Sequence, residues 1–305
     1  MFNIVSPPEA QDSSMSDQPL WTPPHPERSQ LAEFINRLGR NDSNYHDFWQ
    51  WSVDHSEELW SALWDWAEII GEKGKTVLKD AEKMPGAQFF PEGRINYAEN
   101  LLRRRDNKTA IIFRDEQGRE RTLSFAELYQ AVATWQTQFK KWGIGKGDRV
   151  AGYMPNMPET IIACLAAASL GAIWSSASPD FGVQGLIDRF GQIEPKILVT
   201  VDGYFYNGKT IDCLQKVQEV QPHLPGLEKI VVVPFTSETP HFGFLDKAVE
   251  STSFEPCEDL SFERVDFNHP LFIMFSSGTT GIPKCIVHGH GGTLLQHVKE
   301  HRLLL

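Results

Sequence analysis

With 305 residues the chain is long enough for one large domain or two ordinary ones, and 41% hydrophobic against 23% charged residues is a globular balance. A formal net charge of −11 argues against nucleic acid or an anionic membrane surface as the main partner. The first residues, MFNIVSPPEAQDSS, lack a basic start and an apolar core, and the most apolar run, 160–176, is short, Ala-rich and broken by Gly171, so neither a signal peptide nor a membrane span is expected.

In chain order, residues 1–30 are rich in Pro, Ser, Asp and Gln and read as extended or disordered, with Trp21 a candidate to dock on the body. Residues 31–98 form a Trp-rich helical extension. Leu59, Leu63, Trp66 and Ile70 recur at helical spacing, which favours a helix packed on the domain over an aromatic binding stripe. Asn96 is a candidate cap for a helix carrying Leu101 and Leu102. AIIFRD and RTLSF flank a turn at Gly118 and predict a hairpin; Ser124 and Glu127 make a capping box for a helix to about Trp142. RVAGYM is a buried strand, and 160–176 is a buried helix running into a strand. The loop Ser178-Pro179-Asp180 opens a helix to about Gln192, and KILVTVD is a strand. A helix over about 211–220 and the strand KIVVV repeat the unit, and 236–268 reads as an irregular surface excursion. This alternation predicts an α/β fold, a layered arrangement of largely parallel sheet flanked by helices.

The most informative stretch is Ser276-Ser277-Gly278-Thr279-Thr280-Gly281-Ile282-Pro283-Lys284, between the apolar runs LFIMF and CIVH, both read as buried strands. Glycines let backbone N–H groups approach a polyphosphate, hydroxyls add donors, and Lys284 adds a point charge. The spacing is not that of a Walker loop, since Pro283 stands where the second glycine belongs. Cys164, Cys213, Cys257 and Cys285 form no CxxC pair and read as reduced, mostly buried thiols of a cytoplasmic protein. His297 and His301 fit the H-x-x-E-H spacing of a zinc peptidase. Such a site needs a further ligand and the same spacing arises on any polar helix face, so no metal site is expected.

The string 276–284 resembles the phosphate loop of the adenylate-forming superfamily of acyl-CoA synthetases, luciferases and peptide-synthetase adenylation domains. The tryptophan cluster is similar to the N-terminal extension of its short-chain acyl-CoA synthetases. The wording of 176–209 and 283–301 resembles the branch that activates acetoacetate, with the acetate-activating branch as the alternative. The resemblance implies that 99–305 is a partial AMP-dependent synthetase/ligase domain, reaching just past the phosphate loop. It implies small-molecule substrates (acetoacetate, ATP and coenzyme A) with Mg²⁺, and neither nucleic acid nor membrane as partner. The ATP phosphates fall to Ser276, Ser277, Gly278, Thr279, Thr280, Gly281 and Lys284. Asn207, Gly208 and Lys209 stand where relatives contact coenzyme A, although Lys209 also fits a plain solvated charge. Gly289 and His290 stand where relatives line the acyl pocket; His290 either bonds the 3-keto oxygen or faces solvent. The family's catalytic lysine has no counterpart in these residues. The 305-residue polypeptide alone is therefore expected to form no thioester, and the helix beyond Gly292 to leave its apolar side uncovered.

Overall fold

The computed structural model describes residues 21, 24–41, 44–276 and 281–303. The N-terminal extension gives α1 (Gln30–Arg37), α2 (Tyr45–Asp54) and α3 (Ser56–Trp66). Ser29 and Asn44 cap α1 and α2 by accepting backbone N–H bonds. The tryptophan segment is thus two helices broken at His55, with Ile70 beyond the second. Phe34, Phe48, Trp51, Leu63, Trp64 and Trp66 are buried, as a packed extension requires. Trp21 is 74% exposed and does not dock.

Short strands β1 (Gly71–Glu72), β2 (Leu78–Lys79), β3 (Gln88–Phe89) and β4 (Arg94–Ile95) lead into α4 (Tyr97–Leu101), capped by Asn96 through Glu99 N–H. The hairpin β5 (Thr109–Arg114) and β6 (Glu120–Ser124) follows, then α5 (Phe125–Lys141), opened by the expected capping box of Ser124 and Glu127. The α/β run is β7 (Arg149–Tyr153), α6 (Pro158–Ser169), β8 (Ile173–Ala177), α7 (Val183–Ile193) and β9 (Ile197–Val201). A hairpin of β10 (Gly203–Tyr206) and β11 (Lys209–Asp212) precedes α8 (Leu214–Val220) and β12 (Lys229–Val233). Ile211 therefore belongs to a strand, not to the start of a helix. The excursion 236–268 supplies β13 (Ala248–Glu250) and β14 (Val265–Asp266), and the chain closes with β15 (Pro270–Phe275), β16 (Cys285–Gly289) and α9 (His290–Leu303).

Seven strands join in the order β13-β12-β9-β7-β8-β15-β16, parallel throughout except for the last, antiparallel pair. The central strands β7, β9 and β12 are almost wholly buried, which is why they read as continuous apolar runs. From β7 the chain steps to β8 on one side and then back to β9 on the other. With the right-handed crossovers that parallel strands take, this reversal puts the two connecting helices on opposite faces and opens a crevice outside the carboxyl ends of the strands.

Two expectations fail at the edge. LFIMF and CIVH do form strands, but Met274, Ile286 and Val287 are exposed, and Cys285 is an exposed thiol. In contrast, α9 is covered: Leu294, Leu295 and Leu303 are buried where α1, α3 and α4 pack against the helix, and the Arg302 guanidinium lies 4.2 Å from the Trp66 ring centre. The N-terminal extension supplies the cover that chain order alone does not reveal.

Candidate active site

The register of β15 and β16 ends on Phe275 opposite Cys285. Just above that pair, Ser276 N–H donates to Lys284 O at 3.1 Å and Lys284 N–H donates to Ser276 Oγ at 3.2 Å. These two bonds close the base of the loop. Gly281 takes φ +94°, a conformation that favours glycine. Lys284 is exposed. Ser277, Gly278, Thr279 and Thr280 lie outside the described residues.

Beside this hairpin a cleft of about 680 Å³ opens over the carboxyl ends of β8 and β15, within the range of small-molecule sites. Its walls are largely apolar, with Trp174, Phe181, Phe272 and Phe275 among them, and Ser176 and Ser178 at the β8 end. Ser175 Oγ donates to Ile273 O at 2.7 Å and ties the two strands. The loop after β8 is held from below. Tyr153 Oη donates to Pro179 O at 2.7 Å, and Lys216 Nζ donates to Tyr153 Oη and to Pro179 O, both at 3.0 Å. Tyr204 Oη donates to Asp180 Oδ1 at 2.8 Å, and that bond, with Ser178, holds the Asp180 carboxyl below its ordinary range.

Tyr97 on α4 and His297 on α9 meet in the cleft wall, Oη to Nδ1 at 3.0 Å. Burial raises the Tyr97 phenol, and burial followed by His301 and His288 lowers the His297 imidazole, so the pair is neutral at pH 7. Cys164 also lines the cleft, its thiol pushed up to about 12 by desolvation, which makes it a poor nucleophile. Nothing in the sequence singled out Tyr97 or Lys216, and His297 stood out only for its H-x-x-E-H spacing, not for this pairing. The contacts that give them meaning span 200 residues in one case and 63 in another.

The remaining candidates sit elsewhere. Asn207 (φ +49°) and Gly208 (φ +72°) form the two-residue turn between paired Tyr206 and Lys209. A type I′ hairpin turn accounts for that dipeptide fully. Lys209 is exposed at the tip and, with Asn207 and Gly208, is not part of the cleft wall. Gly289 faces the Asn268 backbone, where a Cβ would come within 3.3 Å.

His290 neither faces solvent nor lines the cleft. Its ring is fully buried, Nδ1 accepts from Tyr97 N–H at 3.2 Å, and among the described residues Nε2 has no partner. Desolvation, then His269, pulls its pKa down to about 3, against 6.5 for a free imidazole. Protons therefore bind the unfolded chain first. Stability from this group is complete above about pH 6.5 and falls as pH drops toward 3, by about 1.4 kcal/mol per unit. Denaturant unfolding between pH 6.5 and 4.5 is expected to show a steeper loss of stability in the parent than in His290→Asn; equal slopes in the two proteins would remove His290 as a cause.

Among the described residues no group of three or more His, Cys, Asp or Glu is placed to hold a metal ion, and His297 and His301 are 6.3 Å apart between ring centres. No helix among them is long and apolar enough to cross a membrane.

The chain is 48% identical over 298 residues to an acetoacetyl-coenzyme A synthetase of Rhizobium meliloti, covering 94% of this chain and 45% of that protein. It is 42% identical to an acetoacetyl-CoA synthetase of Xenopus tropicalis, covering 97% of this chain and 46% of that one. A solved acetoacetyl-CoA synthetase from Streptomyces lividans superposes with a TM-score of 0.83 at 35% identity, over 90% of this chain and 43% of that structure. The chain thus spans somewhat less than half the length of the relatives it matches. A family model described as AMP-binding enzyme matches residues 98–303, which takes in the whole seven-stranded sheet and the hairpin over the cleft: the chain belongs to the AMP-binding enzyme family.

Proposed function

We propose that this chain forms the phosphate-binding and acid-binding part of a cytoplasmic acetoacetate–CoA ligase. The acetoacetate carboxylate attacks the α-phosphorus of ATP and expels pyrophosphate; the thiol of coenzyme A then attacks the acyl carbon and expels AMP. The observation that carries this reading is the β15–β16 hairpin, the base of its loop closed by the paired Ser276 and Lys284 bonds next to Phe275, which lines the apolar cleft.

Ser276, Ser277, Thr279 and Thr280 supply hydroxyl donors, and Gly278 and Gly281 allow close approach of backbone N–H groups. Lys284 adds the charge that stabilises the departing pyrophosphate. The apolar walls exclude water from the carboxylate and strengthen these electrostatic contacts. Asn207, Gly208 and Lys209 present a cation for the nucleotide end of coenzyme A, on a hairpin joined to the loop after β8 by Tyr204 and Asp180. Mg²⁺ would supply further charge neutralisation. The cleft wall offers no carboxylate, so the described residues do not by themselves make its site.

Nucleotide analysis tests the reaction class. The enzyme that carries this chain should release AMP and pyrophosphate from ATP only when a short carboxylic acid is present. Release of ADP and phosphate would assign a kinase or ATPase instead.

A further inference from the structure

Helix α7 is docked on the hairpin that carries the loop. Gln192 Nε2 donates to Pro283 O at 2.8 Å, and Cys285 Sγ lies 3.7 Å from Gln192 Oε1. Three residues earlier, and so on the same helix face, Arg189 lines the cleft. Its guanidinium stacks on Phe181 at 4.0 Å and lies 5.8 Å from the ring of Phe275, the last residue before Ser276. Nη1 donates to Gly185 O at 2.8 Å, which fixes one edge of the fork.

Among the described residues the charge of Arg189 meets no counter-charge. It is half-buried, and among the described residues it forms no ion pair. Ser277, Gly278, Thr279 and Thr280, the loop residues outside the description, contain no carboxylate. Among the described residues lining the cleft it carries the one permanent charge, and none is acidic. A partly desolvated cation without a counter-charge is costly unless a ligand supplies one. A guanidinium stacked on an aromatic ring keeps its in-plane N–H edge free for an oxyanion. Isolating such a group at a strand-end cleft of a chain with net charge −11 concentrates positive potential where an anion must enter.

We propose that Arg189 is the second cation of the polyphosphate site: it binds the phosphate oxygens of ATP from the α7 side, while Lys284 binds them from the hairpin. This rests on the phosphate-binding reading of the loop and names a residue outside it. The contact of Gln192 with Pro283 sets the distance between the two cations, because it joins α7 to the strand-ward end of the loop.

Calorimetric titration of the 305-residue chain, with inorganic pyrophosphate and with acetoacetate as separate titrants, tests it. Arg189→Gln should weaken pyrophosphate about ten- to a hundredfold and acetoacetate by far less. Arg189→Lys, which keeps the charge and loses the fork, should fall between the two. The rise in Tm that pyrophosphate gives the parent should shrink in the same order, a readout that loss of the Phe181 stack alone would not move. Unchanged pyrophosphate affinity in both variants would make Arg189 a packing residue and overturn the proposal with the loop's role intact. A loss confined to acetoacetate would make it a carboxylate anchor and overturn it equally. A folded parent that binds no pyrophosphate would remove the phosphate-binding reading of the loop, and this inference with it.

Discussion

Lys284→Ala in the enzyme that carries this chain is expected to slow acid-dependent adenylate formation about ten- to a hundredfold while barely changing stability. The side chain is exposed, so little packing is lost. The bonds that close the loop base use the Lys284 backbone and survive the substitution. On the proposed reading, what disappears is one charge-assisted donor to the leaving group, worth about 1.5–3 kcal/mol. Single-turnover adenylate formation, read beside a denaturant midpoint, separates the two effects. Equal rates in variant and parent would remove Lys284 from the reaction; a large drop in midpoint would make it a structural residue.

Trp66→Ala is expected to destabilise the chain by about 3–5 kcal/mol, as removal of a large buried aromatic does. Trp66 is 4% exposed, its ring centre is 5.5 Å from that of Phe34, and its face carries Arg302. It therefore joins α1, α3 and α9 in one cluster. The adjoining turn is tied to the segment just after α4, where Arg103 donates to Ala67 O and Glu68 O. Loss of the ring leaves a cavity in the extension and loosens the cover of α9. That helix also holds His290 and His297, so damage to the extension reaches the cleft wall. Urea unfolding of parent and variant measures the difference; a change under about 1 kcal/mol would show that the extension is an appendage and not part of the core.

What the sequence made legible follows from local rules. The capping box at Ser124, the cap at Asn96, the hairpin at Gly118 and the buried β7, β9 and β12 all depend on residues within a few positions of one another, and all appear as read. The loop at 276–284 stands out by its dense local composition, and its described ends, Ser276 and Lys284, join the two strands as the flanking apolar runs implied. The misreadings concern distant partners. The apolar side of α9 finds its cover in α1 and α3, more than 200 positions earlier. Cys285 is exposed because it lies on the sheet's last strand, and strand order is not written in the apolar pattern. His290 is buried because the α9 start folds back onto Tyr97 and His269. Arg189 carries no local signal at all: it stands out because it meets no carboxylate among the described residues and lies beside Phe275 of the hairpin.

Acid-dependent exchange of labelled pyrophosphate into ATP, run with acetoacetate, acetate and butyrate in turn, tests the central claim most directly. It reports the adenylation step without coenzyme A. The account predicts exchange that depends on added acid, with kcat/KM highest for acetoacetate. Exchange that is fastest with acetate, or that proceeds equally with no acid present, would contradict it.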